Sequence, residues 1–276
     1  LVRPTLIDPL REEWQGVQAA ASQFMLKGKA KAAAAAVEAF HNRLTSLRVL
    51  DSAAGSGNFL YVSLELMKRL EGEVLEALHS ITGDDQSRLE LAGATVSPDQ
   101  FLGIEINPRA ANLTSLVLWL GYLQWHFRTH GNVLPPQPVL HETDNIECRD
   151  ALIEYDRVEP VLDESGEPVT RWDGHTTKVH PVTGREVPDE TARVPEMRYV
   201  NPRPAKWPEA QVVTGNPPFV GAAAMRLALG DGYVEAVRTA HDDVPDSADF
   251  VMFWWNHAAK LVRDGSLERF GFITTN

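Results

Sequence analysis

A single cysteine, Cys148, stands among 276 residues. That excludes an intrachain disulfide and a cysteine-rich metal site, and no metal is expected; the setting it fits is a reducing cytoplasm. Positive charge is also short: 26 Lys and Arg face 38 Asp and Glu, for a formal charge of -12. A surface of that sign repels nucleic-acid phosphates as a whole, so any nucleic-acid contact needs a local basic patch or a separate segment. Long apolar runs are missing too. The longest, Leu113 to Phe127, is interrupted by Thr114, Ser115, Gln124 and His126 and is too short to span a bilayer, so no membrane partner is expected. No signal peptide is visible. The chain opens on Leu1 rather than Met and ends at Asn276 directly after an apolar run, and it reads as a piece of something larger.

What is present is an ordinary globular composition, 43% hydrophobic, in a chain long enough for one large α/β domain or two small ones. Residues from about Leu10 to Leu44 have helical spacing, broken at Gly28, and the alanine run Ala32 to Ala36 reads as a helix surface. Leu47 to Leu50 is a short strand. A helix runs from Phe59 to Leu78, then a polar connection from Gly83 to Pro98 leads to a second strand, Phe101 to Ile106. Pro108 opens another helix, through Leu113 and Leu120 to about Phe127, ended by Gly131 and Pro135. Asp144-Asn145-Ile146 and Asp150-Ala151-Leu152 read as a short strand edge and a loop. Prolines, glycines and charges dominate from Glu154 to Glu209, with turns at Glu164-Ser165-Gly166 and Thr183-Gly184-Arg185. This predicts a hairpin-rich insertion ordered by Trp172, Tyr199 and Trp207, against the competing reading of a flexible linker. A strand at Val212 to Gly215 stops against Pro217 and Pro218. A loop or short helix follows over Gly221 to Gly232, then a helix from about Ser247 to Val262 and a closing strand, Phe270 to Thr275. Alternating strands and helices predict a doubly wound α/β sheet.

Four places carry chemistry. Asp51 to Gly57 follows a strand and opens a helix, and Gly55 and Gly57 allow a tight turn with a ligand against the backbone. With no third glycine, the same turn serves equally as a plain strand–helix connection. Glu105 ends the second strand, where a carboxylate can accept from both ribose hydroxyls of an adenosine cofactor or simply face solvent. Its distance from the loop exceeds the ~20 residues usual in dinucleotide sites, which disfavours an ordinary NAD enzyme. Asp150 lies in the right order to reach an adenine amino group or to cap a turn. Finally, Val212 to Phe219 ends a strand in Gly215-Asn216-Pro217-Pro218-Phe219, where two prolines forbid continuation and hold Asn216 and Phe219 in fixed relation.

As an ordered set these stretches resemble the S-adenosylmethionine-dependent N6-adenine DNA methyltransferases, above all the large MmeI-like enzymes of restriction-modification and phage defence. Asp51-x-Ala53-x-Gly55-Ser56-Gly57-Asn58-Phe59-Leu60 is similar to their cofactor loop, usually Asp-Pro-Ala-Cys-Gly-Ser-Gly-Asn-Phe-Leu, with Ser52 and Ala54 as small departures. Asn216-Pro217-Pro218-Phe219 matches their catalytic motif. Gly103-Ile104-Glu105-Ile106, Asp150-Ala151-Leu152, Ala248-Asp249-Phe250 and Gly271 to Asn276 resemble further motifs in the family's order. The resemblance implies a Rossmann-like methyltransferase domain over residues 47–276, incomplete at its C-terminus and carrying an insertion at 154–209, behind an N-terminal helical segment, 1–46. It implies S-adenosylmethionine held by Asp51, Ala53, Gly55, Gly57, Asn58, Phe59, Glu105, Ile106, Asp150 and Ala151. Catalysis falls to Asn216, Pro217, Pro218 and Phe219, acting on an adenine flipped out of double-stranded DNA. The family's first cofactor motif would precede Leu1, and its target-recognition domain or subunit would lie outside this chain. Rival readings are a protein-glutamine methyltransferase, an N4-cytosine methyltransferase, and a non-catalytic cofactor- or DNA-binding subunit.

Overall fold

Gly28, at φ +68°, separates helix α1 (Asp8–Leu26) from α2 (Ala30–Ser46), and a π-helical turn, Arg3–Ile7, leads into the first. The computed structural model describes residues 1–83, 95–131 and 145–274. Trp14 of α1 stacks on Phe40 of α2, with ring centroids 5.2 Å apart. The alanine run is not the plain helix surface predicted: Ala33 and Ala34 are buried. Their methyl groups are small enough for α2 to lie close to the helices it packs against, α1 and the long α3 (Asn58–Thr82).

Five strands form a parallel sheet among the described residues: β1 (Val49–Asp51), β2 (Phe101–Glu105), β3 (Ile146–Cys148), β4 (Val212–Gly215) and β5 (Arg269–Phe272). Their order is β5-β4-β1-β2-β3, with Leu50 paired to Val213 on one side and to Leu102 on the other. Val49, Leu50, Phe101, Leu102, Ile104, Val212 and Val213 are all buried, as strands covered on both faces must be. Helix α3 connects β1 to β2, and α4 (Pro108–His130) leads from β2 toward β3. The chain then returns to the other side of β1, so direction reverses between β1 and β4. Right-handed crossovers place helices on opposite faces when direction reverses. This is the doubly wound, Rossmann-like α/β fold that the sequence predicts, and its switch point lies between β1 and β4.

The chain divides into two compact units. The sheet belongs to the first, made of the described residues of 1–149 with Trp207–Pro217 and Ala258–Ile273; the second holds Asp150–Lys206, Pro218–His257 and Thr274. In the second unit, four antiparallel pairs nest inside one another: Ile153 opposite Pro204, Arg157 opposite Val200, Thr170 opposite Pro195, and Thr177 opposite Pro188. They make a single long ribbon, so the insertion is hairpin-built rather than a flexible linker. A short helix, Met225–Leu229, and α5 (Asp231–Ala240) follow in the chain, then α6 (Val251–Arg263), whose residues from Ala258 on belong to the first unit.

Three predicted boundaries shift. Residues 221–232 were expected to hold a loop or short helix, and α5 now begins within them. The helix expected from Ser247 starts at Val251, because the preceding residues close a turn: Asp249 Oδ1 accepts the Ala222 N–H at 3.0 Å, and the Phe250 N–H donates to the Val220 carbonyl at 2.9 Å. Strand β5 stops at Phe272 rather than Thr275. Most of the polar connection after Gly83, together with Pro135, Asp144, Thr275 and Asn276, lies outside the described residues. Among those described, no helix is long and apolar enough to cross a membrane.

Candidate active site

Parallel strands end at a common edge, and in the first unit β1 and β2 end there on Asp51 and Glu105, while β4 ends on Gly215 with Asn216 directly after it. Asp51 closes β1 and is fully buried. Its Oδ1 accepts the Ala53 N–H at 3.0 Å, whereas Oδ2 is buried with no hydrogen-bond partner. Burial pushes this carboxyl up to about 7; the Ala53 N–H opposes the rise and the nearby Glu105 charge adds to it.

The turn after Asp51 needs its glycines for different reasons. Gly55, at φ +56°, faces open space: a Cβ there would meet nothing closer than the Ala53 carbonyl at 4.0 Å. A ligand can therefore approach this backbone. Gly57, at φ +80°, is a packing glycine, since its Cβ would lie 3.0 Å from the Thr114 side chain of α4. The Thr114 hydroxyl donates to the Gly55 carbonyl at 2.9 Å, tying the loop to that helix. Asn58, exposed, opens α3, followed by half-buried Phe59. The free N–H groups of this helix start face the loop with the positive end of the helix dipole.

Glu105 closes β2 and braces the same loop. Its Oε2 accepts the Gly55 N–H and its Oε1 the Asn107 N–H, each at 2.8 Å. Each oxygen keeps capacity for a further donor. Ile106 beside it is 66% exposed, an apolar surface next to an anionic one. The set suits a nucleoside carrying a diol and a cationic tail: paired carboxylate oxygens as acceptors, a buried acid with one oxygen unpartnered, and open backbone over a glycine.

At the end of β4, a Cβ on Gly215 would lie 2.8 Å from Asp51 Oδ1. Only glycine lets β4 run against that carboxyl, and so brings Asn216 beside the end of β1. Asn216 is exposed and Pro217 buried. The division between the units passes between Pro217 and Pro218. In the second unit, Pro218 is exposed and Phe219 is 43% exposed. Asp150 there accepts the Leu152 and Ile153 N–H groups through Oδ1, at 2.7 and 3.1 Å, and the Tyr233 hydroxyl through Oδ2 at 2.7 Å; Ala151 is buried.

The sheet edge thus gathers Asp51, Ala53, Gly55, Gly57, Asn58, Phe59, Glu105, Ile106, Asn216 and Pro217, while Asp150, Ala151, Pro218 and Phe219 belong to the second unit. Thr114 and Tyr233 have no role in the sequence reading, and Gly215 enters it only as the end of a strand. A polar residue within the apolar pattern of α4 was the available sign for Thr114; nothing local marks Tyr233. Among the described residues, no His, Cys, Asp or Glu group could hold a metal ion.

Residues 27–276 match the family described as MmeI, DNA-methyltransferase domain. DNA methyltransferase A of Bacillus subtilis (strain 168) is 32% identical over 123 residues, 43% of this chain and 13% of that protein. The structure of the Type IIL restriction-modification enzyme MmeI, solved in complex with DNA, matches at a TM-score of 0.60 and 22% identity, covering 99% of this chain and 28% of that one. At that identity the likeness is one of fold. The chain spans well under half the length of either relative.

Proposed function

Because this chain belongs to the MmeI DNA-methyltransferase domain family, we propose that it is the catalytic core of an enzyme methylating the N6 amine of an adenine flipped out of double-stranded DNA. The observation that carries this reading is the meeting of Asp51 with Gly215-Asn216 at the ends of adjacent parallel strands, beside a glycine turn whose backbone is open. Sheets of this kind take their ligands at such a switch point. Residues 47–276 are then the methyltransferase domain, residues 154–209 its insertion and residues 1–46 a helical segment ahead of it.

S-adenosylmethionine, when bound, supplies a methyl group made electrophilic by its sulfonium. Glu105 would accept from its ribose hydroxyls, Ile106 would pack on its adenine, the Gly55 and Gly57 turn would admit its amino-acid tail against the backbone, and Asp150 with Ala151 would recognise the adenine edge. The target amine is a poor nucleophile because its lone pair is delocalised into the ring. Asn216 Oδ1 and the Pro217 carbonyl would accept its two hydrogens, which would hold the nitrogen near tetrahedral geometry and leave its lone pair free to attack. Pro218 stiffens the turn, and Phe219 stacks on the flipped base, a contact worth roughly 1–3 kcal/mol. No side chain forms a covalent intermediate, and positioning supplies the rate.

The setting is a cytoplasmic restriction-modification or phage-defence system, with DNA sequence read by a target-recognition domain or subunit. Transfer of labelled methyl groups by the full-length protein, to duplex DNA and to protein substrates, tests the reading. Label on adenine N6 is expected; label on cytosine N4 or on glutamine would replace the substrate, and no transfer with intact cofactor binding would make this a binding subunit.

A further inference from the structure

Asp150 is held from two sides within its own unit. The Leu152 and Ile153 N–H groups that reach Oδ1 come from the turn the residue itself begins. The Tyr233 hydroxyl that reaches Oδ2 at 2.7 Å comes from α5, 83 positions away in the chain. A carboxylate engaged through both oxygens cannot rotate about its last bond without losing one of these partners. Burial, with the Asp150 charge beside it, pushes the Tyr233 hydroxyl far above the ordinary phenol range. It therefore stays a donor to the carboxylate.

The ribbon meets Tyr233 directly. Tyr199, on the Met197–Val200 strand, lies edge-on to the Tyr233 ring with centroids 5.7 Å apart, and Tyr155 lies 4.9 Å from Tyr199 in the same manner. Phe250 takes the far side of Tyr233 at 6.2 Å. Two glycines let the start of α5 press against the ribbon. The Gly232 N–H donates to Glu196 Oε1 at 2.7 Å, and a Cβ on Gly232 would lie 1.6 Å from the Met197 carbonyl oxygen. A Cβ on Gly230 would lie 2.8 Å from the Arg171 guanidinium, which pairs with Glu196 at 3.4 Å.

We propose that Tyr233 is a positioning residue that orients the Asp150 carboxylate for cofactor binding, and that the hairpin ribbon is the brace that keeps Tyr233 in place. The proposal rests on the reading of Asp150 as a cofactor residue. It gives the insertion a role in cofactor affinity. Tyr233→Phe keeps the ring stack and deletes only the hydroxyl, and Tyr199→Leu keeps bulk but removes the edge contact.

In the full-length protein, calorimetry with S-adenosylmethionine should show Tyr233→Phe weakening binding about fivefold to tenfold, the size of one hydrogen bond. KM for the cofactor rises in step while kcat stays within about twofold, and the melting temperature is little changed. Tyr199→Leu should weaken binding in the same direction. In an Asp150→Ala background, Tyr233→Phe should add nothing. If Asp150→Ala leaves cofactor affinity unchanged, Asp150 is not a cofactor residue and the premise fails. If Asp150→Ala weakens binding and Tyr233→Phe does not, or if Tyr233→Phe weakens it equally in both backgrounds, the positioning role is overturned. Unchanged affinity in Tyr199→Leu removes the ribbon from the mechanism.

Discussion

Asp51 is a buried acid whose charge the folded chain does not compensate fully. Its pKa of about 7 stands above the ordinary value of 3.8. The folded chain therefore holds a proton, between about pH 4 and pH 7, that the unfolded chain has released. The stability this group contributes falls as pH rises through that window and is level above it. Asp51→Asn should flatten that stretch of the stability profile and raise the melting temperature of the ligand-free protein at neutral pH. Thermal unfolding from pH 4 to pH 8 checks this; an unaltered profile would mean an ordinary carboxylate. Under the proposed function, Asn216 and Glu105 separate chemistry from binding. Asn216→Ala should lower methyl transfer by on the order of a hundredfold or more while cofactor affinity holds. Glu105→Ala should weaken the cofactor, measured by calorimetry, and loosen the glycine loop, whose Gly55 N–H it holds. These two residues could be picked out from sequence, since each sits at the end of an apolar run. Tyr233 could not, because its partner lies 83 positions away and no local pattern encodes such a pairing.

Between elements, the conspicuous polar contact lies far from the site. Lys68 and Glu71 of α3 are almost wholly buried, joined at 2.8 Å, and His41 of α2 donates to the same carboxylate at 3.3 Å. Thr95 bridges the pair and the Val96 N–H donates to Glu71 at 2.9 Å, while the Lys68 ammonium lies 4.0 Å from the centre of the Trp125 ring of α4. Burial alone would push Glu71 up, but His41, Lys68 and Val96 outweigh it and hold the carboxyl below its usual range. Removing one member leaves its partner charged and dry. Glu71→Gln should cost about 3–5 kcal/mol, read by urea unfolding. A cost below 1 kcal/mol would show that the clamp contributes little. Sequence periodicity found α3 because its apolar positions repeat cleanly, and found the strands because parallel strands are apolar throughout. It passed over α5, whose first turn contains Gly232 and whose buried stripe is short: Val234, Ala236 and Val237. It misread Ala33 and Ala34 because alanine propensity is the same in a buried stripe and on a surface. Helix α6 starts late because Asp249 and Phe250 are spent on a turn that depends on Val220 and Ala222, tertiary partners that spacing does not reveal.

At the scale of the whole chain, charge sets the expectation for DNA. A formal charge of -12 makes non-specific attraction to phosphates weak. In fluorescence anisotropy at physiological salt, this chain should bind duplex DNA no more tightly than the ~10⁻⁴–10⁻⁶ M usual for non-specific contact. Nanomolar affinity would locate a DNA-reading surface within these residues. The layout of the two units was only half legible. Composition announced the insertion at Glu154, but nothing in it revealed that a second excursion, Pro218–His257, joins the same unit. That interleaving has a practical consequence for engineering. The second unit is entered after Arg149, left after Lys206, entered again after Pro217 and left after His257. It is entered once more after Ile273, so it cannot be transplanted as a cassette: a chimera that exchanges it must splice at five seams. One of those seams cuts between the two prolines of the proposed catalytic motif, so a swap between homologues has to take both halves of that motif from the same donor.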